Sequence, residues 1–443
     1  MEAIPFRMPL YLPAQGASET EATIIEWRVA EGDRFQRGQV LAQVDSAKSV
    51  FDFEAPCAGL VIHFLRLEGE TVSLLEPVLE IETSDAAMQE WIPPSAGRHP
   101  PGTGEAGAPA AASAGSAARP CDRGEGVVIR GVGGYLPSRV VTNAELVKGF
   151  PELTDQYVYE VTGIRQRRWA DDDERPSGMA FKAALEAIRN SGLDTRDIDA
   201  IIVATTTPDM AIPATAAILQ ERLSLPTVPA FDLNAACSGW LYAVANARGM
   251  ILSGLARHVL TVGVEMQSRL LDAADRNAYF LFGDGAGAAI ISAGQSGHRI
   301  RHVQIGGDSR GIHMARREAP GYLLPNGHGD PWIRIDGHAM FRFATESFSA
   351  LIHDAVLHSG WKPEDTRWVI PHQANGRILK AAAKRSGIPF DRFFVNMENI
   401  GNTSSASIPL ALTDVQRSLR PDDKLVLCSV GAGLTTAAIS VEW

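Results

Sequence analysis

The chain has 443 residues, with 41 Lys and Arg against 52 Asp and Glu and a formal net charge of −11. That length exceeds one typical domain. A composition of 45% hydrophobic and 21% charged residues excludes wholesale disorder, collagen-like and coiled-coil chains. The acidic balance argues against a nucleic-acid-binding surface spread over the molecule. No run of 18 apolar residues suggests a membrane span, and the start MEAIPFRMPLYLPAQG has no basic region followed by an apolar one, so a cytoplasmic, membrane-free protein is expected. Cys57, Cys121, Cys237 and Cys428 are too scattered for a disulfide framework or a C-x-x-C metal site and read as reduced thiols, with no metal expected.

Residues 1–85 hold 15 acidic and 6 basic residues, a net of −9, so most of the negative charge sits in a fifth of the length. Gly32-Asp33 leading to Val40-Leu41 and Gly69-Glu70 leading to Val78-Leu79 repeat at an offset of 37 or 38 residues. The apolar patterning of the two copies predicts related β-rich halves. Between them stand Val44-Asp45-Ser46-Ala47-Lys48-Ser49-Val50, then Ala55-Pro56 and Gly59. This arrangement resembles the lipoyl/biotinyl carrier domain, a small all-β barrel-sandwich whose modified lysine sits on an exposed hairpin between quasi-symmetric sheets. The resemblance implies Lys48 as the acceptor of a covalent cofactor, a change that removes its charge. An acidic and a small residue ahead of the lysine look like lipoyl tips, whereas biotinyl tips usually carry Met on both sides. Here Ala47 and Ser49 stand there, so lipoyl is favoured over biotinyl; an ordinary solvated lysine is the alternative.

Residues 86–122 read as a flexible linker, since 23 of the 28 residues from Pro93 to Pro120 are Ala, Gly, Pro or Ser. As a coil it separates its ends by roughly 30 Å, with a stretched limit of about 90 Å. A tethered domain would then meet the rest of the chain at high effective concentration.

From residue 123 to 443, short apolar runs such as Ile201-Ile202-Val203, Val259-Leu260-Thr261-Val262 and Trp368-Val369-Ile370 alternate with helical patterns such as Met179 to Leu193. That rhythm predicts an α/β domain. Within it, Phe231 to Trp240 passes from an apolar run through small residues into a helical pattern, which places Cys237 at a strand-to-helix junction. A helix N-terminus favours thiolate there, the form that attacks acyl groups. A buried core filler is the plainer reading of a lone cysteine. Two further segments place a histidine, His372, just after a buried-looking strand and an asparagine, Asn402, in a small-residue turn.

Six segments in order resemble the condensing enzymes of the thiolase superfamily, specifically the ketoacyl-ACP synthase III family: Thr162-Gly163-Ile164-Arg165, Ala235-Ala236-Cys237-Ser238-Gly239, Phe282-Gly283-Asp284-Gly285-Ala286-Gly287, His372-Gln373-Ala374-Asn375, Gly401-Asn402-Thr403-Ser404 and Gly431-Ala432-Gly433. The resemblance implies a homodimer with a five-layered αβαβα fold of duplicated βαβαβαββ halves. It implies an acyltransferase in which Cys237 takes an acyl group from a thioester on coenzyme A or phosphopantetheine. His372 and Asn402 then hold the enolate formed as malonyl-ACP loses carbon dioxide, and backbone N–H groups of Cys237 and Ala432 form the oxyanion hole. The glycine-rich run Phe282 to Gly287 lacks the register of a phosphate loop and is expected to pack backbone closely.

Two departures and one separate feature bear on the resemblance. Tyr157 and Val161 stand where acetyl-CoA-using members have Trp and Arg over the adenine end, so the grip on coenzyme A is expected to be weaker or different. Ile212 matches the position through which the partner subunit lines the acyl pocket, and its size hints at room for a longer or branched chain. Arg377, Lys380, Lys384 and Arg385 collect on one helix face, which the resemblance makes an acyl-carrier docking face and which composition alone makes a solvated one. The fused carrier domain either delivers an acyl starter to Cys237 or docks a partner complex. Alternatives for the whole are a starter-unit or acyl-transfer synthase of secondary metabolism, and a carrier or scaffold with an inactive synthase domain.

Overall fold

The structure is a computed structural model that describes residues 5–13, 21–46, 50–74, 76–85, 88, 126–225, 227–318 and 329–443. The chain divides into two compact units, Met1–Ala112 and Ser113–Trp443, with the division inside the stretch expected as a linker. Residues 86–122, Met88 apart, and the Ala47-Lys48-Ser49 segment lie outside the described residues.

The first unit is all β: β1 Phe6–Tyr11, β2 Glu21–Trp27, β3 Arg34–Phe35, β4 Val40–Ser46, β5 Val50–Glu54, β6 Gly59–Phe64, β7 Thr71–Ser73 and β8 Pro77–Thr83. Two four-stranded sheets form, in the orders β1-β8-β6-β3 and β5-β4-β2-β7. The internal repeat is written into their hydrogen bonds. The Phe64 N–H donates to Glu31 Oε1 at 3.0 Å, and the Trp27 N–H donates to Glu68 Oε1 at 2.8 Å. Asp33 and Glu70 each accept from a backbone N–H three residues upstream, Ala30 and Leu67, across a glycine in the left-handed region, Gly32 (φ 90°) or Gly69 (φ 84°). That backbone is open to glycine at little cost. Each E-G-acid turn therefore caps the sheet contributed by the other copy. Alternating Leu10, Ile24, Leu41, Val44, Val61, Val78, Leu79 and Ile81 fill the core, and Met88 joins them from beyond the last strand. The β4–β5 pair runs from Val40↔Glu54 to Asp45↔Val50, with a register shift between Val40 and Ala42.

The second unit begins with β9 Val127–Tyr135, β10 Arg139–Thr142, α1 Asn143–Leu146, α2 Asp155–Thr162, β11 Gln166–Trp169, α3 Pro176–Ser191, β12 Ala200–Ala204, α4 Thr215–Arg222, β13 Ala230–Leu233, α5 Gly239–Leu252, β14 His258–Met266 and β15 Asp284–Ala293. It continues with β16 His298–Gly307, β17 Ala315–Arg316, β18 Arg334–Ile335, α6 Gly337–His358, β19 Thr366–Pro371, α7 Gly376–Ser386, α8 Met397–Ile400, α9 Ser407–Val415, β20 Lys424–Gly431 and β21 Thr435–Glu442. One sheet of order β13-β12-β14-β15-β9-β16-β21-β20-β19 runs through it. It is two sheets joined at an edge, because β9 and β16 share only the pairs His298↔Ile129 and Arg299↔Val128.

The first half, β9-α3-β12-α4-β13-α5-β14-β15, has a counterpart in β16-α6-β19-α7-α9-β20-β21. Phe393 makes an isolated parallel bridge to Val369 where the first half has β13 beside β12. Helices α5 and α9 lie between the sheets. Trp240, Leu241, Val244 and Ile251 of α5 and Ile408, Ala411 and Leu412 of α9 share one core with strand residues of both halves. The outer faces are covered by α3, through Met179, Ala183 and Ala187, and by α6 and α7, through Phe348, Ile352 and Ala382. This is the expected five-layered thiolase-like arrangement. Parallel strands buried on both faces read as unbroken apolar runs, which is why Ala200–Ala204 is buried at every position.

The glycine-rich run serves packing. A Cβ at Gly287 would stand 2.7 Å from the Pro409 ring carbons at the start of α9. Asp284 is buried and accepts from the N–H groups of Ala170 and Ser268, tying three segments together.

Candidate active site

Each half presents a tight turn at the start of its central helix, and the two turns have the same build. After β13, Asn234 Oδ1 accepts from the Ala236 N–H at 3.2 Å, Ala236 takes φ 47°, and a 3₁₀ turn Ala236–Ser238 leads into α5. Ahead of α9, Asn402 Oδ1 accepts from the Ser404 N–H at 2.8 Å, Ser404 takes φ 48°, and a 3₁₀ turn Ser404–Ala406 leads into the helix. Positive φ is costly for a residue with a Cβ and persists where the surroundings hold it. Here the asparagine side chains do so. The turns meet, with Ser404 Oγ 3.6 Å from Cys237 Sγ.

Beneath Cys237 the chain of β20 comes very close. A Cβ at Gly431 would lie 2.9 Å from the Cys237 nitrogen and 2.6 Å from Thr435 Oγ1. Ser238 Oγ lies 3.1 Å from the Thr435 carbonyl oxygen, and Thr435 Oγ1 donates to the Ala235 carbonyl at 2.8 Å. These contacts fix the backbone that carries the thiol.

His372 follows β19 and is 1% exposed. Its N–H donates to the Cys428 carbonyl, and its Nδ1 lies 2.7 Å from Ser407 Oγ. Burial pushes its pKa down to about 3, so the ring is neutral. Ser407 is fully buried, and its hydroxyl hydrogen finds an acceptor if Ser407 donates to Nδ1. That arrangement puts the ring proton on Nε2. Asn402 is constrained likewise: Oδ1 is taken by the Ser404 N–H, leaving Nδ2 as the donor end.

Cys237, His372, Asn402 and Ala432 line one cavity of about 1900 Å³. It exceeds the range of roughly 300–1,000 Å³ of ordinary small-ligand sites. Burial pushes the Cys237 thiol up to about 12; the Ser404 hydroxyl opposes this and the nearby Glu265 charge adds to it. Cys237 is itself only partly covered, so desolvation of the thiol acts against the thiolate that the start of α5 favours, and the two effects oppose each other there.

Tyr157 and Val161, on α2, line the same cavity. The Val161 carbonyl accepts from Asn375 Nδ2 at 3.2 Å, which ties α2 to the start of α7. Arg377, Lys380, Lys384 and Arg385 are all exposed on α7, opposite buried Ile378, Leu379, Ala382 and Ala383; Arg377 also lines the cavity. Ile212 is 87% exposed and lies outside the lining of its own chain's cavity. Among the described residues no group of three or more His, Cys, Asp or Glu is placed to hold a metal ion, and no helix is long and apolar enough to cross a membrane. Ser404, Ser407, Thr435 and Glu265 escaped the sequence reading. Ser404 stood inside a segment already singled out, but nothing in one dimension brings it to Cys237, 167 residues away.

Fold and cavity together define a condensing enzyme of the thiolase type. The family described as 3-oxoacyl-[acyl-carrier-protein] synthase III matches residues 231–309, and its C-terminal part matches residues 357–443. The chain is 41% identical over 321 residues to the beta-ketoacyl-[acyl-carrier-protein] synthase III of Rhodobacter capsulatus, covering 71% of this chain and 98% of the relative. It is 39% identical over 325 residues to synthase III 3 of Streptomyces coelicolor, covering 71% and 97%. The crystal structure of the synthase III of Thermus thermophilus superposes with a TM-score of 0.67 at 40% identity, covering 71% of this chain and 99% of that one. The priming beta-ketosynthase of the R1128 polyketide pathway does so with 0.67 at 33% identity, covering 71% and 96%. The chain belongs to the 3-oxoacyl-[acyl-carrier-protein] synthase III family, condensing enzymes of the acyltransferase class. Residues 9–81 match the family described as biotin-requiring enzyme, so the first unit is a biotinyl/lipoyl-type domain.

Proposed function

We propose that the second unit joins an acyl thioester to malonyl-ACP by decarboxylative condensation, giving a 3-oxoacyl-ACP. Cys237 accepts the acyl group, and the malonyl thioester then occupies the same cavity. His372 Nε2–H and Asn402 Nδ2–H donate to its carbonyl oxygen and stabilise the enolate as carbon dioxide leaves. The enolate carbon attacks the acyl carbonyl on Cys237, whose developing oxyanion is held by the backbone N–H groups of Cys237 and Ala432.

The observation that carries this reading is that Ser407 engages His372 Nδ1 and the Ser404 N–H engages Asn402 Oδ1. Both side chains are thereby left with an N–H donor on the wall of the same cavity. Simple acyl transfer needs no such pair. Asn402→Asp keeps the oxygen that holds Ser404 while removing the amide donor. It should retain acyl-Cys237 by intact mass and lose 3-oxoacyl product; full condensation by the variant would refute the assignment.

Acyl carrier protein is proposed to dock on the α7 face, the enzyme to work in the cytoplasm as a homodimer, and Ile212 of each subunit to reach the other's acyl pocket. Lys48 is proposed to carry a lipoyl group, on the strength of the biotinyl/lipoyl family match and of the non-Met residues Ala47 and Ser49 beside it. The mass of the Lys48 peptide from the native host separates lipoyl from biotinyl. A second reading, a starter-unit synthase primed by a carrier-borne acyl group, is favoured by Val161, which offers coenzyme A neither charge nor a side-chain hydrogen bond. Comparison of kcat/KM for acetyl-CoA against an acyl-ACP starter decides between them.

A further inference from the structure

One buried acid beside the cavity has no part in these steps. Glu265, on β14, is completely buried. Its Oε2 is crowded with donors: Thr206 Oγ1 at 2.8 Å, Gln267 Nε2 at 2.9 Å, Thr207 Oγ1 at 3.0 Å and the Thr206 N–H at 3.2 Å. Its Oε1 has the Thr206 N–H at 3.3 Å and Ser404 Oγ at 3.2 Å. A proton on this carboxyl therefore belongs on Oε1, facing Ser404. Ser404 Oγ in turn lies 3.6 Å from Cys237 Sγ.

A hydroxyl has one hydrogen to donate. If Ser404 donates to Oε1, its lone pairs face the thiol hydrogen; if it donates to a sulfur anion, its lone pairs face a protonated Oε1. The states of the carboxyl and the thiol are thus linked through one group. His372 is poorly suited to take the thiol proton, because the tautomer set by Ser407 makes Nε2 a donor. The residues facing the carboxyl from every element packed on it, Thr206 and Thr207 after β12, Gln267 after β14, and Ser404 and Ser405 ahead of α9, carry no charge. Cys237 lies beyond Ser404.

We infer that Glu265 takes up the Cys237 proton through Ser404 while the thiol is acylated, acting as a positioning residue for that proton. The inference rests on the reading of Cys237 as the acyl acceptor. As the sulfur lone pair attacks the thioester carbonyl, the S–H bond breaks and its proton passes to Ser404 Oγ, whose own hydrogen moves to Glu265 Oε1. When the carbonyl re-forms, the bond from carbon to the donor's sulfur breaks. The proton then returns through Ser404 to the leaving thiolate, which departs as a thiol, and Glu265 is again a carboxylate. Burial holds both the carboxyl and the thiol above their ordinary values. Moving one proton between them keeps the charge of the pair constant, where losing it to water would leave a second negative charge beside the buried carboxylate.

The test is single-turnover acylation of Cys237 by acetyl-CoA, followed by intact mass from pH 6 to 9, in the wild type, Glu265→Gln and Ser404→Ala. An internal proton transfer makes the wild-type rate nearly independent of pH. In either variant the proton must go to solvent, so the rate should be at least tenfold slower at pH 7 and climb about tenfold per pH unit. Decarboxylation of malonyl-ACP, which uses His372 and Asn402, should fall far less than acylation in both. Ser404→Ala should fold, because Ala236 holds the same φ in the matching turn, and it carries the test if Glu265→Gln does not. Equal pH slopes in wild type and variants, or acylation and decarboxylation falling together, would overturn the relay. A wild type that never acylates Cys237 at any pH would instead sink the underlying assignment.

Discussion

The two halves of the synthase unit share strand order, central helix and a turn of the same geometry, yet they contribute different chemistry. The first half's turn offers a thiol on Cys237; the second half's turn offers a carboxamide on Asn402 and a hydroxyl on Ser404. The supports cross over. Strand β20 of the second half runs under the thiol and brings Gly431 against its nitrogen, while β14 of the first half brings Glu265 against Ser404. The loop after β12 gives Thr206 and Thr207, and the loop after β19 gives His372. A duplicated scaffold thus supplies the positions, and under the proposed mechanism the side chains that differ between copies divide the reaction: covalent capture by one half, enolate stabilisation by the other.

Removing the thiol should break the division most severely. Cys237→Ala is expected to abolish acyl-enzyme by mass and to lower condensation by at least 10³-fold, an order set by losing a covalent intermediate. Adding Ser405→Cys, the matching position in the other turn, should not rescue it, since Ser405 Oγ faces the Ala204 carbonyl at 3.0 Å. Product formation by the double variant would mean the halves are interchangeable. Asn402→Asp comes next, with a loss of about 10²–10³-fold in condensation, the usual cost of one oxyanion donor, and acylation nearly intact.

Stability in acid carries a contribution from His372 that its own variant isolates from those of His298, His258 and His302, which are held down in the same sense. The His372 folded value of about 3 lies below its ordinary 6.5, so between these the unfolded chain binds a proton that the folded chain refuses. Stability is whole above pH 6.5 and falls as pH drops toward 3, by about 1.4 kcal/mol per pH unit at most. Denaturant midpoints should therefore fall more steeply in the wild type than in His372→Asn over that window; parallel slopes would reject a neutral buried ring. Gly431→Ala should cost about 1–3 kcal/mol as overpacking and slow acylation through displacement of the Cys237 nitrogen. A thermal melt matching the wild type would show that the approach of β20 is not needed.

Much of this was legible in one dimension. Apolar runs of the length of a buried strand marked β12, β14 and β19, and the repeated E-G-acid turns marked the duplicated first unit. Cys237, His372 and Asn402 each stood in a recognisable segment. The hidden parts are those set by three-dimensional neighbours. Glu265 sits in Val262-Gly263-Val264-Glu265-Met266, and nothing in that run shows that Thr206, Thr207 and Ser404, the last 139 residues away, surround its carboxylate. The push of desolvation on the Cys237 thiol is hidden as well, because a helix terminus can be inferred from sequence whereas desolvation cannot. Met88 lies in a stretch read as linker from its composition, and it is buried because the two sheets leave room for one more side chain.

The smallest expected effect concerns the basic face of α7, and it separates a docking surface from a merely soluble one. Arg385 faces Glu346 at 3.6 Å and Lys380 lies 5.9 Å from the Phe390 ring centre, while Arg377 donates from Nε to the Glu160 carbonyl and also lines the cavity. Reversing charge at Arg377 and Lys384 should raise KM for malonyl-ACP about tenfold with kcat little changed, since lost rim charges act mainly on encounter. The defect should shrink between low salt and 0.3 M salt, as exposed charges are screened beyond about 10 Å at 0.1 M. A malonyl thioester of a short pantetheine presents no acidic protein surface, so Lys384→Glu alone should leave its KM unchanged, whereas Arg377→Glu alters the cavity wall and should raise it modestly. Equal losses on the protein-borne and the small donor from Lys384→Glu would mean that α7 serves only solubility, and the second half would then contribute chemistry to the reaction without contributing recognition.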